Sequence, residues 1–325
     1  MTTSVLVTGY GGFLGRAICR DLLQHGYLVK GLARNRYPEI EKLGVVAVQG
    51  SAANLADCER AASGVDAVIH TAALAGVWGK RHDFEQANVV ATENLLHVCR
   101  HQSIGAFVFT SSPSVTFDGT AQSNVDESVP YPSSWLCDYP RTKAIAEQKV
   151  LAENDSKIAT CALRPHLIWG VGDPHLIPRV IARCRSGRLR CVGNGKNLID
   201  TVHVDYAAAA HRLALERMLN RDSNAAGRPY FITDGQPVEC WAWVTAILKT
   251  AKLLPPSKSI SFPNAYRIGY ALELLYRTFN IAAEPPMTRF VAAQLGVDHY
   301  FNISAAKQFL GYIPIANRDQ RIAEL

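Results

Sequence analysis

An α/β fold, Rossmann-like, with a doubly wound parallel sheet, is what three features of this 325-residue chain predict. A short β-branched run from Ser4 to Thr8 leads straight into a glycine-rich turn and then into a helical apolar stripe. Further apolar runs at 27–33, 64–73 and 106–109 alternate with helical patterns, as βαβ units require. The composition, 48% hydrophobic and 19% charged, is that of a globular chain long enough for one large domain or two smaller ones.

The first unit carries the strongest signal. In "SVLVTGYGGFLGRAICRDLLQHGYLVKGLARNR" the strand ends at Thr8, and Gly9, Gly12 and Gly15 follow at spacings of three. Leu14, Ile18, Leu22 and Leu23 then form one helical face, and Gly26 closes the helix. A helix start offers free N–H groups and partial positive charge, which suits a pyrophosphate. Phe13 and Leu14 open that helix. Glycines keep the turn tight, admit phosphate to the backbone and let helix and strand approach closely. Between a strand and a helix, this turn predicts dinucleotide binding. A G-x-G-x-x-G reading from Gly9 would need glycine at Leu14; the pattern present is T-G-x-x-G-x-x-G.

The second strand ends at Ala33, where a carboxylate would accept hydrogen bonds from the ribose of NAD. Arg34 and Arg36 follow instead, and two guanidinium groups suit a 2′-phosphate. The cofactor expected is therefore NADPH, the alternative being that both arginines are merely exposed. In "GVDAVIHTAA" the small residues Ala72 and Ala73 let a cofactor lie against a strand end. His70 reads as a packed histidine in the ligand wall rather than a base, and Asn88 as a structural tie between backbone segments.

Thr110, Ser111 and Ser112 stand just past the strand Ala106–Phe109, where open α/β sheets bind ligands. Tyr139 and Lys143 follow in "YPRTKAIAEQ". Asp138 reads as the N-cap of their helix, with Pro140 in its first turn. Residues i and i+4 share a helical face, so the ammonium lies beside the phenol. Its charge and the helix N-terminus both favour the phenolate, lowering the phenol from its ordinary pKa near 10. Tyr139 is the candidate proton donor, Lys143 its electrostatic support, and Ser112 the hydroxyl that orients a carbonyl, with Ser111 as the other choice.

Composition excludes other classes. A net charge of +6 is too mild for a nucleic-acid binder. The run "RVIARCRSGRLR" (179–190) reads as a solvated helix face or as a site for an anionic substrate or partner. Eight scattered cysteines show no metal-ligand spacing, so no metal is expected, and reduced thiols suggest a cytoplasmic setting. No signal peptide and no membrane-spanning run are expected.

"HTAALAGVWG", "FTSSPSVTFDG", "DESVPYP", "YPRTKAIAEQKVL" and "ALRPHLIWGVGDPHLIPR" resemble the 3β-hydroxysteroid dehydrogenase-like branch of extended short-chain dehydrogenases/reductases. "GNGKNLIDTVHVDYAAAAH", "YFITDGQPV" and "PPMTRFVAAQLGVDHYFNISAAKQFLGYIP" carry the resemblance almost to the C-terminus. Within that branch the chain looks like the NADPH-dependent reductases of 2-alkyl-3-oxoalkanoates in bacterial long-chain olefin biosynthesis. The resemblance implies a nucleotide-binding domain over 1–171, rejoined by 199–235, and an interleaved C-terminal substrate lobe from 172–198 and 236–325. It implies that Pro165 borders the nicotinamide and that Ser112, three residues before Val115, is the catalytic hydroxyl. It also implies a hydrophobic substrate, a long-chain keto acid or a sterol, and a homodimer. Trp78, Phe117, Trp135, His166 and Trp169 are candidate pocket walls, though each would serve equally as core.

Two departures stand out. The family's Gly-Asp after the third strand is Gly50-Ser51 here, which leaves Ser51 to meet the adenine side. The arginine that grips a sugar nucleotide in related epimerases is Ile199, which argues for a greasy substrate. A 3β-hydroxysteroid dehydrogenase is the second reading; an epimerase or a non-catalytic NADP sensor fits less well. The apolar stretch 264–279 reads as a buried lobe helix, or as one resting on a membrane or covering a lipid cleft. Peripheral membrane contact or a multienzyme complex are the partner classes left open.

Overall fold

The computed structural model describes residues 2–315 and 317–325. Seven parallel strands form the main sheet: β1 Ser4–Thr8, β2 Leu28–Ala33, β3 Val46–Gln49, β4 Ala67–His70, β5 Ala106–Thr110, β6 Ala159–Pro165 and β7 Pro229–Ile232. Their order is β7-β6-β5-β4-β1-β2-β3. The order reverses between β1 and β4, and there the strands' C-terminal ends open a crevice. Register aligns those ends: Thr8 stands opposite both Leu32 and His70, His70 opposite Phe109, and Thr110 opposite Leu163. The loops leaving β1, β4, β5 and β6 therefore converge on one edge.

Apolar residues fill both faces of the sheet, as a doubly covered parallel sheet requires. Val5 and Val7 point to the side covered by helices Phe13–Gln24 and Val204–Leu219, with Ile18, Leu22, Ala207 and Ala214 buried between. Leu6 points to the other side, toward Leu95, Leu96, Ala146 and Val150. A third core, around Trp169, Ile199, Trp241, Trp243 and Ile247, holds the lobe together. A small sheet joins the layers: Val238–Glu239, Leu198–Ile199, His299–Phe301 and Gln122–Val125 pair in that order. Gln122–Val125 thus reaches from the β5–β6 connection into the lobe's sheet, while Phe301, Leu310 and Tyr312 pack into the main core.

Two alternatives from the sequence are decided here. The helix Phe262–Thr278 is not a buried lobe helix: it buries only Ala265, Gly269 and Glu273. Gly269 lets the backbone of Thr288 and Arg289 press against it, since a Cβ there would lie 2.6 Å from the Thr288 carbonyl carbon. Glu273 pairs with Arg289, and Tyr270, Leu274 and Leu275 stay exposed. The basic run is largely a solvated helix end and loop, with Arg185, Arg188 and Arg190 exposed and Arg179 paired with Glu284. Among the described residues no helix is long and apolar enough to cross a membrane, and no cluster of His, Cys, Asp or Glu could hold a metal ion.

Candidate active site

The glycine turn is shaped by close approach. Gly9 has φ +67°, and a Cβ there would lie 3.0 Å from the Ala72 backbone. At Gly15 it would lie 2.2 Å from the Gly9 carbonyl oxygen, so no side chain fits. Gly12 N–H donates to the Gly9 carbonyl at 2.8 Å, and no side chain caps the helix Phe13–Gln24. Its first N–H groups are left facing a cleft of about 870 Å³. The cleft runs from Gly9, Gly12, Phe13, Leu14 and Gly15 past Arg34 and Ser51 to Ala72 and Ala73. It ends at Ser111, Ser112, Tyr139, Lys143 and Pro165. The Ser111 hydroxyl is buried on this wall without a protein partner. Open helix N–H groups, an excluded Cβ and an orphaned hydroxyl are what a dinucleotide cradle needs.

Arg34 lines the cleft but Arg36 does not. Arg36 is held by Glu41, Nε to Oε1 at 2.9 Å, and that contact draws the Glu41 carboxyl down to about 2. Ser51 Oγ accepts from Ala53 N–H at 3.3 Å, and its own N–H is taken by Asp57 at 2.9 Å. His70 is packed, as its sequence context suggested. Nδ1 meets Thr8 Oγ1 at 2.7 Å and Nε2 meets Thr92 Oγ1 at 3.1 Å, and burial holds the ring down at about 3. Asn88 is a tie: Oδ1 accepts from Leu74 N–H at 2.8 Å and Nδ2 donates to Thr142 Oγ1 at 3.0 Å. It sits in a π-helical turn, Glu85–Val90, of the kind that often marks a functional site.

Tyr139 and Lys143 lie on the helix Asp138–Ala152. Asp138 is its first residue rather than its cap. Cys137 occupies the cap position, and the Asp138 carboxylate accepts from Arg141 at 3.0 Å. An acid in the first turn still complements the helix dipole. Lys143 Nζ donates to the Thr110 carbonyl at 2.6 Å and rests 3.9 Å over the Phe109 ring. Burial lowers its pKa to about 7, against the opposing pull of Glu147. The phenol of Tyr139 moves opposite to the sequence expectation. Burial raises it above 10, and the Ser112 hydroxyl only partly draws it back. Desolvation penalises both charged forms, and the ammonium is directed at a carbonyl rather than the phenol. The phenol is thus held protonated, the state a proton donor needs.

A second, smaller cavity of about 170 Å³ lies beyond this point. Four residues line both spaces: Ser112, Tyr139, Pro165 and Leu167. Leu167 has φ +44°, a left-handed conformation costly for a leucine and of the kind that gathers at active sites. Ser112 Oγ lies 2.9 Å from Ser114 Oγ, which leads into the smaller cavity. Ser111 lines only the larger cleft, so Ser112 is the hydroxyl that stands with Tyr139 on the dividing wall.

Of the predicted pocket walls, Phe117 and His166 line the smaller cavity and three residues line neither space. Trp78 packs on Tyr276 and donates to the Ile281 carbonyl. Trp135 donates to the Val115 carbonyl at 2.8 Å. Trp169 is 1% exposed and packs on His203 and Trp243 in the lobe core. Ile199, 1% exposed, belongs to that same core and lines neither space, so its apolar character serves lobe packing. Sequence reasoning missed Gln122, Phe290, Gln294, His299 and Phe301, which line the smaller cavity from distant segments. No local motif marks them.

Residues 6–264 match the 3-beta hydroxysteroid dehydrogenase/isomerase family. The chain belongs to it. It is an NAD(P)-dependent oxidoreductase of the extended short-chain type. A 2-alkyl-3-oxoalkanoate reductase of Stenotrophomonas maltophilia is 43% identical over 99% of this chain and 98% of its own length. One from Shewanella oneidensis is 44% identical over 98% and 84%. A mouse sterol-4-alpha-carboxylate 3-dehydrogenase, decarboxylating, is 31% identical over 97% and 88%. Among solved structures, gox2253 superposes with a TM-score of 0.80 at 26% identity, covering 99% of this chain and 96% of that one. MoeE5, solved with UDP-glucose and NAD, shares the fold at 0.75 and 23% identity, covering 99% and 96%.

Proposed function

We propose that this protein reduces the 3-oxo group of a 2-alkyl-3-oxoalkanoic acid to the 3-hydroxy acid with NADPH. The observation that carries the reading is that Tyr139 and Ser112 share the wall between the two spaces. One carbonyl oxygen can meet both hydroxyls there while its carbon faces the large cleft. A bound dihydronicotinamide supplies the hydride that adds to the carbonyl carbon. Ser112 donates a hydrogen bond to the oxygen as negative charge gathers on it. Tyr139 gives its proton to that oxygen, and solvent later restores the phenol. Lys143 stabilises the transient phenolate and holds the ribose. The reductase relatives act on a 2-alkyl-3-oxoalkanoate, and the sterol relative on a substrate named for a 4-carboxylate and a 3-position reaction. In both names the carboxyl is attached to the carbon adjacent to the one that bears the reacting oxygen.

NADPH oxidation with a 2-alkyl-3-oxo acid, run beside NAD(P) reduction with a 3β-hydroxysterol, tests this. The acid is expected to turn over; turnover of the sterol alone would establish the steroid dehydrogenase reading instead. The preference for NADPH rests on Arg34, which lines the cleft after Ala33 where no carboxylate opposes a 2′-phosphate. Arg36 contributes less because Glu41 engages it. Arg34→Ala is expected to weaken NADPH about tenfold or more, as the loss of a charge-assisted hydrogen bond does, and to leave NADH nearly unchanged. Equal weakening of both, read by fluorescence titration, would refute the preference.

A further inference from the structure

The smaller cavity has walls of two kinds. Phe117, Phe290 and Phe301 are apolar, whereas Gln122, His166 and His299 are polar and at least nine-tenths buried. Their hydrogen bonds fix which polar atoms remain free. Gln122 Nε2 donates to the Thr116 carbonyl at 2.8 Å, which identifies the amide nitrogen and leaves Oε1 buried without a partner. His299 Nε2 lies 2.7 Å from the Gln294 carbonyl, which can only accept, so that nitrogen carries the proton. In a neutral ring His299 Nδ1 must then accept. It does so from His166 Nε2 at 3.1 Å. The relay ends at His166 Nδ1, which is buried and has no partner at good hydrogen-bonding geometry, the Asp200 carbonyl being nearby but not aligned with it. Burial and the neighbouring His299 hold the His166 ring well below its ordinary range, with the Asp200 carbonyl pulling the other way.

Two residues that line one small cavity thus each carry a buried polar atom without a hydrogen-bond partner, which is costly unless a ligand supplies one. The cavity has room for about six waters at ~30 Å³ each, too little for a long alkyl chain. It is ample for a carboxyl group and its neighbouring carbon. Pro165 lines both spaces and His166 is the next residue, with Cα atoms about 3.8 Å apart. Ser112 and Tyr139 line both spaces, so a group seated in the smaller cavity adjoins a carbonyl held at that wall.

We infer that the cavity bounded by Gln122, His166 and His299 seats the substrate's carboxyl group, with one proton shared between that group and His166 Nδ1. The proton comes from solvent or from the acid itself, so no net charge is buried. This rests on the reductase reading, because it takes the reacting carbonyl to lie at Tyr139. It makes Gln122 and the His166–His299 pair specificity-determining for an acid with its carboxyl two carbons from the ketone. The alkyl chains then lie in the larger cleft.

The test compares a 2-alkyl-3-oxo acid with the matching ketone that lacks the carboxyl, in wild type, His166→Phe and Gln122→Met. Wild type is expected to favour the acid in kcat/KM. Each variant is expected to raise KM for the acid by about tenfold to a hundredfold, the range for a hydrogen bond to a charged group. Each should leave the ketone within about twofold. Parallel losses on acid and ketone, or no preference in wild type, would overturn the assignment while the reductase reading stands. If neither substrate turns over, the reductase reading fails. Calorimetry of hexanoate binding to the NADP-loaded wild type and Gln122→Met then decides the cavity: weaker binding by the variant supports it and equal binding overturns it. Should a variant fail to fold, hexanoate against hexanol on wild type serves the same purpose: preferential binding of the acid supports the site and equal binding overturns it.

Discussion

Tyr139→Phe is expected to lower kcat for the keto acid by about 10²–10⁴, the contribution of a positioned general acid, while NADPH affinity stays within about twofold. The residues common to both cavities include only two with O–H groups, Tyr139 and Ser112. The phenol is far the stronger acid of the two. Phenylalanine retains the ring that packs beside Pro165 and Ser112 and removes only the proton donor. Single-turnover kinetics and fluorescence titration separate the two effects. A variant that keeps more than about a tenth of the wild-type rate, against that expected loss, would show that the proton comes from elsewhere.

Glu147→Leu is expected to destabilise the fold by about 3–5 kcal/mol, the usual cost of leaving a buried charge without its partner. Glu147 stands one turn beyond Lys143 on the helix Asp138–Ala152. Its side chain is 0% exposed and takes Arg164 Nε at 3.1 Å and 3.2 Å, with the Arg164 side chain 2% exposed. Tyr131 donates to the same carboxylate at 2.6 Å. Removing Glu147 strands the guanidinium between Phe231 and Tyr131. It also withdraws the charge that favours protonated Lys143, so activity should fall further than stability alone explains. The double variant Glu147→Leu/Arg164→Met, which buries no charge, is expected to regain most of the loss. Urea unfolding measures both, and a single-variant loss under about 1 kcal/mol would refute the argument.

Some of the site was legible because its residues lie close together in the chain. The glycine turn, the strand end at Ser111 and Ser112, and the Tyr139–Lys143 pair each occupy a few consecutive residues. Local geometry obliges glycine where a Cβ would strike the Gly9 carbonyl, and helical periodicity brings the phenol and the ammonium to one face. Other expectations failed because burial is a property of the assembled fold. Trp169 read equally as pocket or core, and Ile199 as a sign of a greasy substrate, until both were seen packed in the third core. Arg36 looked like Arg34 until Glu41 was found beside it. The Tyr139 pKa moved upward because desolvation outweighs a neighbouring ammonium that faces a carbonyl.

By itself the sequence determined the parallel sheet, the nucleotide-binding crevice and the placing of Tyr139 and Lys143 on one helix beside it. Each follows from short-range constraints on φ/ψ, periodicity and hydrogen-bonding type. Only the tertiary structure decided where the second cavity lies and which residues line it. Gln122, His166 and His299 come from three distant segments and meet through the small sheet that carries Gln122 and His299 side by side. Which nitrogen of His166 is left free depends on a carbonyl at Gln294, a relation that no spacing along the chain encodes.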